Sequence, residues 1–247
     1  MSTLATLQAV LKAELHMNSP YINGAIGDAL RYVRTEELWF NQDKCYIDTV
    51  ADLTEYELPD DFLQIRGDIW CTPSTQTDTR YRLSRRTVDE VEMAKYSASD
   101  FDYGYGGLTS GLPRICAIDS DGKSLLVAPV VQTSGDRLFF RYTKDLGTPL
   151  YSATVGSSAP PSAATVFTLL GPKGETLPST FTNDWFTEGF TLVRAKAVHY
   201  LWTRYHGGTE EAMMKAQNAY SEYNDELRRL WGETSDKQSV VRVRGYL

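Results

Sequence analysis

Apolar residues recur at steps of three and four near both ends of the chain, and in short, partly alternating runs through its middle. That change of period predicts helices flanking a strand-rich centre. Leu4, Leu7, Val10, Leu11 and Leu15 define a first helical face. Ser19 and Pro20 suit the N-cap and first position of a second helix, in which Ile22, Ile26, Ala29, Leu30 and Val33 share one side. After Trp39-Phe40 the pattern becomes extended, with Tyr46, Ile47, Val50, Tyr56, Leu58, Phe62, Ile65, Ile69 and Trp70 in segments broken by Pro59 and Gly67. Thr87-Val88-Asp89-Glu90 has the spacing of a capping box and predicts a short helix among these strands. Residues 100–112, rich in glycine and aromatics, read as a loop. Arg114 to Ile118 and Ser124 to Ala128 flank Asp119-Ser120-Asp121-Gly122, a hairpin signal, and Arg137 to Tyr142 supplies a further strand. An antiparallel meander is the simplest arrangement.

Between Gly147 and Thr182 the composition shifts to Pro, Ser, Thr, Gly and Ala around one apolar island, Val166 to Leu170. The stretch reads either as an extended hairpin-like arm or as a linker. Phe186, Phe190, Val193, Ala197, Tyr200 and Leu201 then share a helical face that ends at Gly207-Gly208. Thr209 is placed to cap a last helix, whose residues Met213, Ala216, Tyr220, Tyr223, Leu227 and Leu230 form a packing seam. These two helices should pair antiparallel, the seam facing either their own chain or a neighbouring subunit. Beyond Gly232 the end Val240-Val241-Arg242-Val243-Arg244-Gly245-Tyr246-Leu247 is β-prone. It is either a frayed terminus or a segment that pairs with another protein.

The expected fold is therefore α+β. Residues 1–38 and 183–232 form a helical bundle of N-terminal helices and a C-terminal antiparallel pair. Residues 39–146 are an inserted antiparallel β-rich region, 147–182 a long loop or arm, and 233–247 a tail.

Composition narrows the function by exclusion. With 42% hydrophobic and 12% aromatic residues the chain can build a core, and no stretch approaches a membrane span, so no membrane partner is expected. The formal charge of -7 argues against coating nucleic acid. Cys45, Cys71 and Cys116 are odd in number and widely spaced, which predicts reduced thiols and assembly in a cytoplasm. His16, His199 and His206 lack metal-site spacing, and the loop opened by Asp119 and Asp121 has Val130 where a calcium loop needs its closing glutamate. Asp60-Asp61, or Asp100 with Asp102 beside the tyrosines of 101–105, would suit glycoside cleavage only as a distant alternative. No nucleophile elbow, phosphate loop or dinucleotide fingerprint is present. No enzyme and no cofactor are expected.

The order of segments looks like that of the head-tail adaptor (connector) proteins of tailed bacteriophages. The likeness rests on Ala29-Leu30 with Glu37-Leu38-Trp39-Phe40, on Tyr56-Glu57-Leu58-Pro59-Asp60-Asp61-Phe62-Leu63-Gln64-Ile65, on Gly111-Leu112-Pro113 leading to Leu125 through Pro129, on Phe140-Arg141-Tyr142 with Leu146, and on Asp184-Trp185-Phe186. The resemblance implies a virion protein at the portal vertex, assembled in the host cytoplasm. It would form a ring, expected to be dodecameric, between the portal and the next tail or neck component, and would keep packaged DNA in place. Double-stranded DNA would pass through without sequence-specific binding, and an acidic wall would let it slide. The resemblance makes Val240, Val241, Arg242, Val243, Arg244, Tyr246 and Leu247 candidates for portal docking. Tyr56, Leu58, Pro59, Phe62, Phe101, Tyr103, Tyr105, Phe167, Leu169 and Leu170 are candidates for surfaces facing other subunits or the tail. The alternatives are another neck or tail-tube role, or a carbohydrate-binding module.

Overall fold

A computed structural model describes residues 2–15, 21–75, 79–96, 111–132, 134–147, 150–154, 166–170, 177–178, 180–206 and 208–243. Among them lie six α-helices: α1 Leu4–Leu15, α2 Ile22–Val33, α3 Val88–Tyr96, α4 Asp184–Thr187, α5 Phe190–Tyr200 and α6 Glu210–Val243. The strands are β1 Gln42–Asp48, β2 Glu55–Glu57, β3 Phe62–Thr72, β4 Tyr81–Arg85, β5 Ile115–Ile118, β6 Ser124–Ala128, β7 Arg137–Lys144, β8 Leu150–Thr154 and β9 Val166–Leu170. The fold is mixed α+β. The chain divides into two compact units, Met1–Asn41 with Asp145–Leu247, and Gln42–Lys144.

In the first unit the helical faces read from sequence meet around one core. Leu4, Leu7, Leu11 and Leu15 of α1 are buried, as are Ile22, Ile26, Ala29, Leu30 and Val33 of α2. Each fully buried leucine contributes roughly 2 kcal/mol over exposure. Ser19 and Pro20 lie outside the described residues; α2 begins at Ile22, and Tyr21 before it makes no side-chain cap. Polar ties join the helices. Arg194 of α5 bridges Glu14 of α1 and Glu222 of α6. Buried Asp28 of α2 accepts from Arg204 at 2.7 Å and from the Tyr205 hydroxyl at 3.3 Å.

The single helical face expected from Phe186 to Leu201 is divided. Asn183 caps α4 by accepting from the N–H groups of Trp185 and Phe186, and α4 ends before Gly189. A Cβ at Gly189 would sit 2.9 Å from the Trp185 ring and 3.3 Å from the Phe40 ring, so the break admits two close-packed aromatics. One π-helical turn, Leu201–Tyr205, then closes α5. Thr209 caps α6 as expected, its hydroxyl accepting from Ala212 N–H at 3.1 Å.

α5 and α6 run antiparallel, since Arg194 meets Glu222 whereas His199 meets Ala216. The α6 seam faces its own chain, with Tyr223, Leu227 and Leu230 in the core shared with α1 and α2. It departs from the expected seam at two positions. Ala216 is buried as expected, but Ala212 and Ala219 are buried in place of Met213 and Tyr220, which are 66% and 42% exposed. Small residues let two helix backbones approach closely, so at these two positions an alanine turns inward in place of its larger neighbour. The β8–β9 pair is an antiparallel hairpin within 147–182. Leu169 joins the helical core, so that part of the hairpin packs onto the unit instead of projecting as an arm.

In the second unit a seven-stranded sheet runs β1-β7-β3-β4-β5-β6-β2. Cys45, Tyr56, Ile69, Leu83, Cys116, Val127 and Phe140, one from each strand, share a single cluster. A flat sheet of that width would span roughly 29 Å and keep its edges apart, so this one curls around its core. The opposite face of β5 and β6, Ile115, Ala117, Leu126 and Ala128, is covered by Val91 of α3. The capping box predicted for α3 is made in both directions, Thr87 N–H to Glu90 at 2.9 Å and Glu90 N–H to the Thr87 hydroxyl at 3.3 Å. The hairpin predicted at Asp119–Gly122 also forms, its turn closed by Gly122 N–H to Asp119 O at 2.9 Å. Gly122 has φ +72, which glycine adopts without steric cost.

The expected meander does not form. β4 and β5 pair in parallel, with α3 in the connection between them, and β7 inserts between β1 and β3. Periodicity marks strands but carries no information on their order.

Candidate functional site

The C-terminal end of α6 is held by the turn after α2. Trp39 N–H donates to the Thr234 hydroxyl at 3.0 Å, which itself donates to Leu230 O at 2.7 Å, and the Lys237 ammonium stands over the Trp39 ring. Helix continues through Gly232, where a Cβ would meet nothing, as far as Val243. Here the β-prone tail expected after Gly232 is corrected. A mid-helix glycine costs about 1 kcal/mol, and the anchored Leu230 and Thr234 on either side of it offset that. Val240, Val241, Arg242 and Val243 thus have helical backbone. Arg244, Tyr246 and Leu247 lie outside the described residues.

The ten other candidates divide by burial. Tyr56 and Leu58 are 5% and 8% exposed and belong to the β-unit core, while Leu169 is 4% exposed in the helical core. Side chains enclosed by their own chain cannot face a neighbour, so these three are corrected. The Tyr56 hydroxyl accepts from Val50 N–H at 3.3 Å and reaches Leu53 O at 3.1 Å, clasping the β1–β2 connection. Phe62 packs against Phe140 and Tyr142 and is half-buried, as are Pro59 and Leu170. Phe167 sits on β9 opposite Ala153. Phe101, Tyr103 and Tyr105 lie outside the described residues.

A surface that the sequence reading missed is formed by the outward positions of β1, β7 and β3. Lys44 is the register partner of Arg141, Tyr46 of Phe139, and Asp48 of Arg137. Arg66 and Trp70 of β3 extend the first two rows, again opposite Arg141 and Phe139. The Tyr46 and Phe139 rings stack at 5.0 Å, with Tyr46 58% exposed. Arg137 pairs with Asp48 at 2.8 Å, which holds that carboxyl below its ordinary range. Lys44, Tyr46, Arg137, Phe139 and Arg141, together with Arg80, line a groove of about 670 Å³. The only local signal was the alternation Arg137, Phe139, Arg141 against the inward Leu138, Phe140 and Tyr142.

Reactive chemistry is sparse. Cys45, Cys71 and Cys116 are free and buried, and burial pushes the thiols of Cys71 and Cys116 up to about 12, far from the nucleophilic thiolate. His199 Nδ1 lies 3.1 Å from Ala216 O, and His206 packs against Tyr21 and Trp202. Asp61 accepts from the Tyr142 hydroxyl at 3.0 Å, a structural contact. Among the described residues no three His, Cys, Asp or Glu side chains gather as a metal site, and no helix is long and apolar enough to cross a membrane. Lys196, 3% exposed, places its ammonium 3.7 Å from the Tyr32 ring centre and 4.6 Å from that of Tyr223. Burial lowers its pKa, and the aromatic faces replace the lost water.

Docked helices, a curled sheet and an exposed charged and aromatic face make a protein of surfaces. The chain belongs to the SU10 adaptor protein family, whose model matches residues 2–244. This is a family of phage head-tail adaptors, structural components of the virion that are generally non-enzymatic and associate with portal and tail components. No curated protein matches the chain.

Proposed function

We propose that copies of this chain form a dodecameric ring between the portal and the next tail or neck component, keeping packaged DNA in place and forming part of its exit channel. The helical unit would be the ring body. The residues from Val240 to Leu247 would dock on the portal, with Arg242 and Arg244 meeting acidic groups and the apolar side chains supplying anchors. The observation that carries this reading is α6. Its 34 residues span about 51 Å. Its own chain clasps it as far as Lys237, and the helix continues to Val243. The excess of Asp and Glu, 32 against 25 Lys and Arg, suits a wall that repels phosphate. The test is the copy number of this chain in intact virions relative to the portal, by quantitative mass spectrometry. Equal copies are expected. A sixfold-type ratio would move the chain to the tail tube, and absence from particles would overturn the structural reading.

A further inference from the structure

Lys44 and Arg141 stand directly across from each other on β1 and β7, with Arg66 next in the same row on β3. Like charges facing each other across strands are destabilising unless an anion joins them. Lys44, Arg80 and Arg141 have no carboxylate partner among the described residues, although the chain as a whole is acidic. Two residues further along β1 the next row is aromatic, Tyr46 with Phe139 and Trp70.

β1 is also an edge strand, paired only with β7 among the described residues. Thr49 N–H donates toward β7's side, to Asp136 O at 2.7 Å, whereas Lys44 N–H is taken by the Asp43 carboxylate at 2.8 Å. Successive residues of a strand direct their backbone groups to opposite sides. Asp43, Cys45 and Ile47 therefore bond to β7, and the N–H groups of Tyr46 and Asp48 point away from the sheet. Those amides are a template for another strand.

We propose that this face captures an extended acidic segment of a partner protein, which adds to the free edge of β1. The segment places a carboxylate in the row of Lys44 and Arg141, and an apolar side chain two residues away in the row of Tyr46 and Phe139. Main-chain bonds supply affinity and the two rows supply selectivity. Duplex DNA fits less well, because it offers neither strand amides nor an apolar group at a two-residue step. The inference does not depend on where α6 docks or on ring formation.

The experiment uses the full chain and a fluorescent peptide alternating glutamate with valine. Controls are the same peptide N-methylated at alternate amides, and a short duplex DNA. The acidic peptide should bind, and the Lys44→Glu/Arg141→Glu double variant should bind it at least about tenfold more weakly. Amide exchange should slow at Tyr46 and Asp48 in the complex while Cys45 and Ile47, already bonded to β7, stay unchanged. Equal binding of the N-methylated peptide, unchanged exchange at Tyr46 and Asp48, or DNA binding through Lys44 and Arg141 without peptide binding would each overturn the proposal.

Discussion

Cys71 and Cys116 show how a side chain can be conspicuous in sequence and unreactive in structure. Both thiols are raised from an ordinary 9.0 to about 12, chiefly by burial. The unfolded chain therefore releases these protons above pH 9 while the folded chain keeps them. Folding binds more protons in that window, so stability falls as pH rises from about 9 to about 12, by at most about 1.4 kcal/mol per pH unit for each thiol. The Cys71→Ala/Cys116→Ala variant should show a flatter decline than the parent over that range in chemical denaturation, beneath a modest uniform loss from the emptied volume. Identical slopes would show that the thiols are not the groups responsible. Other residues escaped the sequence reading for the opposite reason. Lys44 and Arg141 are remote in sequence and become one row only when β7 lies beside β1, a pairing that no local pattern encodes.

At the scale of elements, legibility follows the range of the deciding contact. The capping box at Thr87 and Glu90, the hairpin turn at Asp119–Gly122 and the faces of α1 and α2 are all settled within a few residues, and the structure builds them as the spacing predicts. The parallel β4–β5 pair, the interruption at Gly189 and the continuation of α6 past Gly232 are settled by distant partners. Thr234 is the clearest of these, because its hydroxyl serves both Trp39 and its own helix. Replacing Thr234 by valine keeps the shape and leaves Trp39 N–H unpaired, which should cost about 1–2 kcal/mol in urea denaturation. Thr234→Ser should recover most of the loss. If valine is neutral, the hydroxyl does not anchor α6.

For the whole molecule, the portal-docking proposal makes a separable prediction. A chain ending after Lys237 retains the contacts to Trp39 from both Thr234 and Lys237, so its melting temperature should match that of the full chain. Its attachment to portals should be lost. Normal attachment by the truncated chain would rule out docking through the C-terminal residues, while a lowered melting temperature would show that residues beyond Lys237 stabilise the fold.

The pairing of β1 with β7 bears on how the chain reaches its fold. Gln42 and Thr143 are register partners, so the first and last strands of the β unit lie side by side. Partners in such a pair stand about 5 Å apart. For the helical unit, residues 42–144 are a long excursion between Asn41 and Asp145. Closing it from an open coil carries an entropy cost that grows with the logarithm of its length. Once the sheet has zipped, that excursion behaves as a short tether, and Asn41 is followed by Asp145 as if the two were nearly adjacent in sequence. The insertion thus acts as an internal splint, and its two neighbouring ends make it a cassette that a brief linker could replace.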